Sequence, residues 1–149
     1  MNYEKVILST DCDAGLNVLW KWFKEKNEEN KAEEIQPNRI EVLYFHGAQR
    51  CITCRAIEAN TVALLDSLYS QEKANGKIIY KVVDISKKEN EAIADKYEVT
   101  WSSLFVNGWK DGKENVNNMT EFSFSNARNA PDKFKEGIKS KIDELLKQL

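Results

Sequence analysis

The sequence predicts an α/β fold: a central mixed sheet of about five strands with helices on both faces. Two observations carry that expectation. Short runs rich in Ile, Val, Leu and aromatic residues alternate with stretches whose apolar residues recur at helical spacing. The breaks fall at turn-forming residues, and no repeat or low-complexity linker interrupts the alternation. The 149 residues suggest one domain, 1–149. A chain of that size can bury roughly 70% of its unfolded surface, so its core needs no staples.

Each element has a local reason. "YEKVILS" reads as the first strand, and Asp13 sits where an N-cap would, ahead of a helix carrying Leu16, Leu19, Trp20 and Phe23 at helical spacing. Trp20 and Trp22 read as core or helix-surface residues. "QPN" at 36–38 breaks the pattern, and "RIEVLYFHG" follows as a mostly buried strand. From Cys51 the period changes, with Ile57, Thr61, Leu64, Leu65 and Leu68 on one helical face until "ANG" at 74–76. "KIIYKVVD" is the third strand. Ser86 is the expected cap of the helix "KKENEAIADKY", "SSLFVNG" is the fourth strand, and "GKENVN" is an edge strand after the turn "WKDG". Residues 118–130 fit loop and helix equally. Pro131 can open the last helix, with Phe134, Ile138, Ile142, Leu145 and Leu149 as its apolar stripe. Gly137 inside that helix costs about 1 kcal/mol relative to alanine, which close packing would justify.

Composition excludes several classes. Apolar residues make up 42% and charged residues 31%, with a net charge of −2 and no block of basic residues to bind nucleic acid. No stretch is long enough to span a bilayer. The start "MNYEKVILSTDCDAG" is interrupted by Asp11 and Asp13, unlike a signal peptide. The chain therefore reads as cytoplasmic, or as periplasmic if an export signal has been removed. Three cysteines do not suit a disulfide-framed secreted domain.

The chemistry concentrates in "FHGAQRCITCRAIE". Three readings of Cys51 and Cys54 compete: a redox dithiol, half of a metal site, or two small core residues. Cys51 falls where a strand ends and a helix begins, where free backbone N–H groups and the helix dipole favour an anion. Such a position can lower a thiol pKa from ~8.5 to ~3.5–7.5. The spacing puts Cys54 one turn into the helix, within reach of Cys51 for a disulfide, and a junction is a poor place to hide two thiols. The exposed first sulfur would attack and the shielded second would resolve the mixed disulfide. Arg50 and Arg55 flank the pair and would add positive potential. Glu58, one turn after Cys54, is expected in solvent or paired with Arg55. His46, the only histidine, reads as a hydrogen-bonded structural residue, with a proton role near the thiols as the alternative.

This helix-initiating C-x-x-C in a βαβ setting resembles the thioredoxin superfamily over nearly the whole chain. More narrowly, "YFHGAQRCITCRAIE" with "VNGWKDGKENVNNMTEFSFSNARNAPDKFKEGIKSKI" resembles a bacterial thioredoxin-like family named as nitrophenyl-compound nitroreductase subunits of arsenic-resistance clusters. The resemblance implies a thioredoxin-like fold and thiol–disulfide exchange with a protein disulfide or dithiol partner. It places Trp101, Ser102 and Ser103 in the loop facing the dithiol, where a partner docks, and an exposed Trp101 would suit a hydrophobic client or an aromatic small molecule. Three positions depart from the superfamily pattern. Its loop proline falls on Ser103, so a trans peptide is expected there, a cis bond before a non-proline residue costing ~2.5–4 kcal/mol. Its buried acid falls on Phe45, leaving no evident proton acceptor for Cys54. Its tryptophan before the first cysteine is Arg50.

Metal and cofactor readings stand lower. A structural zinc site needs four ligands, and only Cys12 and His46 remain beyond the pair. Cys12 reads as a plain thiol, though with Cys51 and Cys54 it would complete a three-thiolate set for a metalloid such as arsenite. No G-x-G-x-x-G and no phosphate loop implies an organic cofactor, so nitroreduction by this chain alone is not expected. The reading is a thiol–disulfide oxidoreductase with Cys51 as nucleophile and Cys54 resolving. A soft-metal or metalloid binding module and a non-catalytic docking subunit are the alternatives.

Overall fold

The computed structural model describes residues 37–149, which form one compact unit. Strand β1 (Arg39–His46) is central, with strand β2 (Ile78–Asp84) parallel on one side and strand β3 (Ser103–Lys110) antiparallel on the other. The short strand β4 (Lys113–Asn115) completes the order β2-β1-β3-β4. This is a thioredoxin-like arrangement. Four strands stand among the described residues; the expected strand "YEKVILS", the helix after Asp13, Trp20, Trp22 and Cys12 lie outside them, as does part of the expected 1–149 domain.

A parallel pair needs a crossover. Helix α1 (Ile52–Leu68) and the one-turn helix α2 (Ser70–Ala74) supply it between β1 and β2. Helix α3 (Glu91–Lys96) precedes β3, helix α4 (Thr120–Asn126) follows β4, and helix α5 (Pro131–Gln148) ends the chain. Alternate residues of β1 serve different cores because successive strand side chains point to opposite faces. Ile40, Val42 and Tyr44 pack with Leu104 and Val106 under Ile57, Leu64 and Leu65 of α1 and Phe134, Ile138, Ile142 and Leu145 of α5. Leu43 and Phe45 pack with Val83, Val99 and Phe105, joined by Ile93 and Tyr97 from the α3 side.

Four local expectations need correction or completion. Ser86 does not cap α3. The Asp84 carboxylate takes its N–H and hydroxyl at 3.0 and 2.6 Å, and the helix begins only after a 3₁₀ turn at Lys88–Asn90. Leu68 is 53% exposed, because α1 ends there and Tyr69 turns inward to donate to Asp143 Oδ1 at 2.6 Å. Residues 118–130 resolve mainly into α4. The Asn118 side chain takes the Thr120 N–H at its start, and the Thr120 hydroxyl takes the Leu104 N–H of β3. The β3–β4 hairpin turns on Asp111 and Gly112, both at positive φ (51° and 75°), the two-residue geometry that an Asp-Gly pair favours.

Gly137 is where α4 meets α5. A Cβ there would overlap the Phe122 ring, which stacks on Phe134 at 6.4 Å between centroids. Gly137→Ala should therefore lower stability by about 1 kcal/mol, an overpacking cost of ~1–3 kcal/mol offset by ~1 kcal/mol of helix propensity. In a Phe122→Ala background the same change should instead stabilise by about 1 kcal/mol. Urea unfolding of the four proteins checks the reversal of sign; equal effects in both backgrounds would refute the packing account.

Candidate functional site

β1 delivers the chain to the start of α1 through the loop at 47–50. Cys51 is the N-cap of α1, with extended backbone (φ −71°, ψ 167°), and its sulfur accepts the Cys54 N–H at 3.1 Å. A sulfur thus takes the place of the usual N-cap oxygen and satisfies one of the helix's free donors. The Cys51 carbonyl accepts the first helical bond, from the Arg55 N–H, also at 3.1 Å. Cys51 is exposed whereas Cys54 is only 5% exposed. The two are disulfide-bonded, with Cα atoms 5.1 Å apart.

Beneath the pair lies a polar cluster. Tyr44, fully buried at the end of β1, donates its hydroxyl to the Cys54 carbonyl at 2.8 Å. Burial raises the Tyr44 phenol above its ordinary range, with the Glu58 charge adding and Arg50 and Ser102 opposing, so it stays a neutral donor at ordinary pH. The Arg50 guanidinium lies over the Tyr44 ring at 5.7 Å and donates to Glu58 Oε2 at 2.5 Å. Glu58 therefore pairs with Arg50 and not with Arg55, which is exposed. Among the described residues the Tyr80 hydroxyl, from β2, is buried without a partner; burial pushes its pKa up, and Glu58 and Tyr44 add to the shift.

His46 is half-buried. Its Nδ1 donates to the Gly47 carbonyl at 2.8 Å, and its ring lies 5.9 Å from that of Tyr44. The loop before β3 reaches the same cluster, since Ser102 acts on Tyr44. Ser102 and Ser103 are buried, with the Ser103 hydroxyl turned back to the Trp101 carbonyl at 3.0 Å, and every peptide bond among the described residues is trans. Trp101 alone of the three presents its side chain, 59% exposed and stacked on Phe124 at 5.2 Å. That pair walls an open groove of about 800 Å³ with Tyr97 and Phe105, and Glu98 and Glu121 also line it. Ile52, beside Cys51, is 67% exposed.

Among the described residues no cluster of three or more His, Cys, Asp or Glu could hold a metal ion, and no helix is long and apolar enough to cross a membrane. The three-thiolate alternative requires Cys12, outside the described residues. Sequence reasoning missed Tyr44, the Arg50 pairing and Phe124. Tyr44 left a signal: a tyrosine on the core-facing register of a buried strand must find a partner for its hydroxyl. Phe124 left none, because its meeting with Trp101 is a tertiary event.

Fold and site together define a thioredoxin-like α/β protein with a C-x-x-C disulfide at a helix start. No protein-family model matches the chain, and no curated protein does. Among solved structures it is similar to a thioredoxin of Fasciola hepatica, at 27% identity over 69% of this chain and 85% of that one, with a TM-score of 0.39. It is also similar to a malarial protein, at 20% identity over 56% of this chain and 83% of that one, again with a TM-score of 0.39.

Tyr44→Phe removes the hydroxyl that holds the Cys54 carbonyl. It should lower the stability of the oxidised protein by about 1 kcal/mol, the usual worth of one buried hydrogen bond. Urea unfolding midpoints check this; an unchanged midpoint would show that the bond contributes nothing.

Proposed function

We propose that the chain is a thiol–disulfide oxidoreductase in which Cys51 attacks and Cys54 resolves. The observation that carries this reading is the asymmetry of the pair: an exposed residue whose sulfur faces a helix N–H at 3.1 Å, bonded to the sulfur of a buried residue. In the reduced protein the Cys51 thiolate would be stabilised by that N–H and by the helix dipole. It attacks one sulfur of a partner disulfide, forming a mixed disulfide and releasing the partner's other sulfur as a thiolate. Cys54 then attacks the Cys51 sulfur. The intramolecular bond forms, the mixed disulfide breaks, and the partner leaves with both of its sulfurs reduced. The reverse sequence oxidises a partner dithiol, and the direction depends on potential and compartment.

Arg50, Arg55 and His46 are proposed to tune the thiolate through their charge. Trp101 is proposed to receive the partner, with Ser102 and Ser103 shaping the loop beneath it. The narrower resemblance to nitroreductase subunits would make the partner a redox enzyme; no family match supports it.

Redox titration against glutathione should give a reversible two-electron couple. In a Cys12→Ser background, Cys51→Ser should abolish reaction with a small disulfide. Cys54→Ser should accumulate the mixed disulfide at least about tenfold over wild type, since resolution then needs an external thiol. A pair that does not titrate reversibly, or a Cys51→Ser protein reacting as fast as its Cys12→Ser parent, overturns the assignment.

A further inference from the structure

A resolving thiol must lose its proton as it attacks, and Cys54 is nearly shut off from solvent. We propose that Glu58 accepts that proton, held in position by Arg50. Glu58 lies four residues after Cys54 on α1, so the two share a helix face with Cβ atoms roughly 5–6 Å apart. Helix side chains lean toward the N-terminus, which sends the Glu58 carboxylate back over the turn that carries Cys54. Glu58 Oε2 takes a hydrogen bond at 2.5 Å from Arg50, the residue just before Cys51 and so N-terminal to Glu58. Arg50 is itself braced over the Tyr44 ring, and Tyr44 grips the Cys54 carbonyl, so carboxylate, guanidinium and dithiol turn are tied together. Among the described residues the charged and titratable groups that act with Glu58 are Arg50, Tyr44 and Tyr80. Both phenols are held neutral by burial, so of these groups the carboxylate is the one able to accept a proton.

The assignment rests on the exchange reading. In the resolving step the Cys54 S–H bond breaks and its proton passes to the Glu58 carboxylate. The Cys54 sulfur then bonds to the Cys51 sulfur and the mixed disulfide breaks. Cys51 and Cys54 are oxidised to the disulfide, and the partner's sulfur is reduced and departs as a thiolate, which regains a proton from Glu58 or water.

Stopped-flow reaction of the reduced Cys12→Ser protein, whose remaining thiols are Cys51 and Cys54, with dithiodipyridine, a neutral chromogenic disulfide, separates the two events. The first equivalent of thiopyridone reports attack by Cys51 and the second reports resolution by Cys54. In Glu58→Gln the second phase should slow relative to the first by about tenfold or more at neutral pH. That deficit should close as pH rises and the thiol ionises unaided, and Glu58→Asp should recover part of it. An unchanged second phase, or a slowing that is independent of pH as expected of a structural role, overturns the assignment of Glu58 alone. Cys12→Ser protein that releases a single equivalent overturns the exchange reading and this inference with it.

Discussion

One hydrogen bond organises the site: the N–H of Cys54 pointing at the sulfur of Cys51. It exists because Cys51 sits at the N-cap of α1, where the backbone has left the strand and the helix has not yet closed its own bonds. That junction is anchored from below. β1 is buried along nearly its whole length and paired on both sides, so its end cannot drift relative to the sheet. A cap exposed to solvent yet fixed to the most constrained strand combines access with geometric precision, as the nucleophile role proposed for Cys51 requires.

The polar groups beneath the dithiol form a compromise between stability and chemistry. Tyr44 places a hydroxyl in the core and satisfies it on the Cys54 carbonyl. Arg50 brings a positive charge next to Cys51, and Glu58 neutralises part of it. Their side chains remain about a quarter exposed, so the pair adds little to stability. Among the described residues the Tyr80 hydroxyl is buried with no partner.

Much of this was legible in the chain. Between residues 37 and 149, the apolar runs became β1, β2 and β3, and the stripe from Phe134 to Leu145 became the buried face of α5. The Asp-Gly pair made the hairpin turn. The misreadings have specific causes. Ser86 is a good cap by composition, but the Asp84 carboxylate two residues earlier captured it. Leu68 has the right spacing for the core, but helix periodicity carries no signal that Tyr69 will end the helix by reaching Asp143 on α5. The 118–130 segment was ambiguous because the hydrogen bond that fixes its start comes from β3, distant in the chain.

The sequence alone determined the alternation of strand and helix, the position of Cys51 at their junction and the reach of Cys54, because these follow from local periodicity and a three-residue spacing. Only the tertiary structure decided which charges meet. Arg50, not Arg55, took Glu58, since the chain before the helix folds back over Tyr44 while Arg55 points to solvent. It also decided that Trp101 would stack on Phe124 at the surface while Ser102 and Ser103 turned inward. Side-chain partners across separate elements depend on how those elements pack, and no local pattern encodes that.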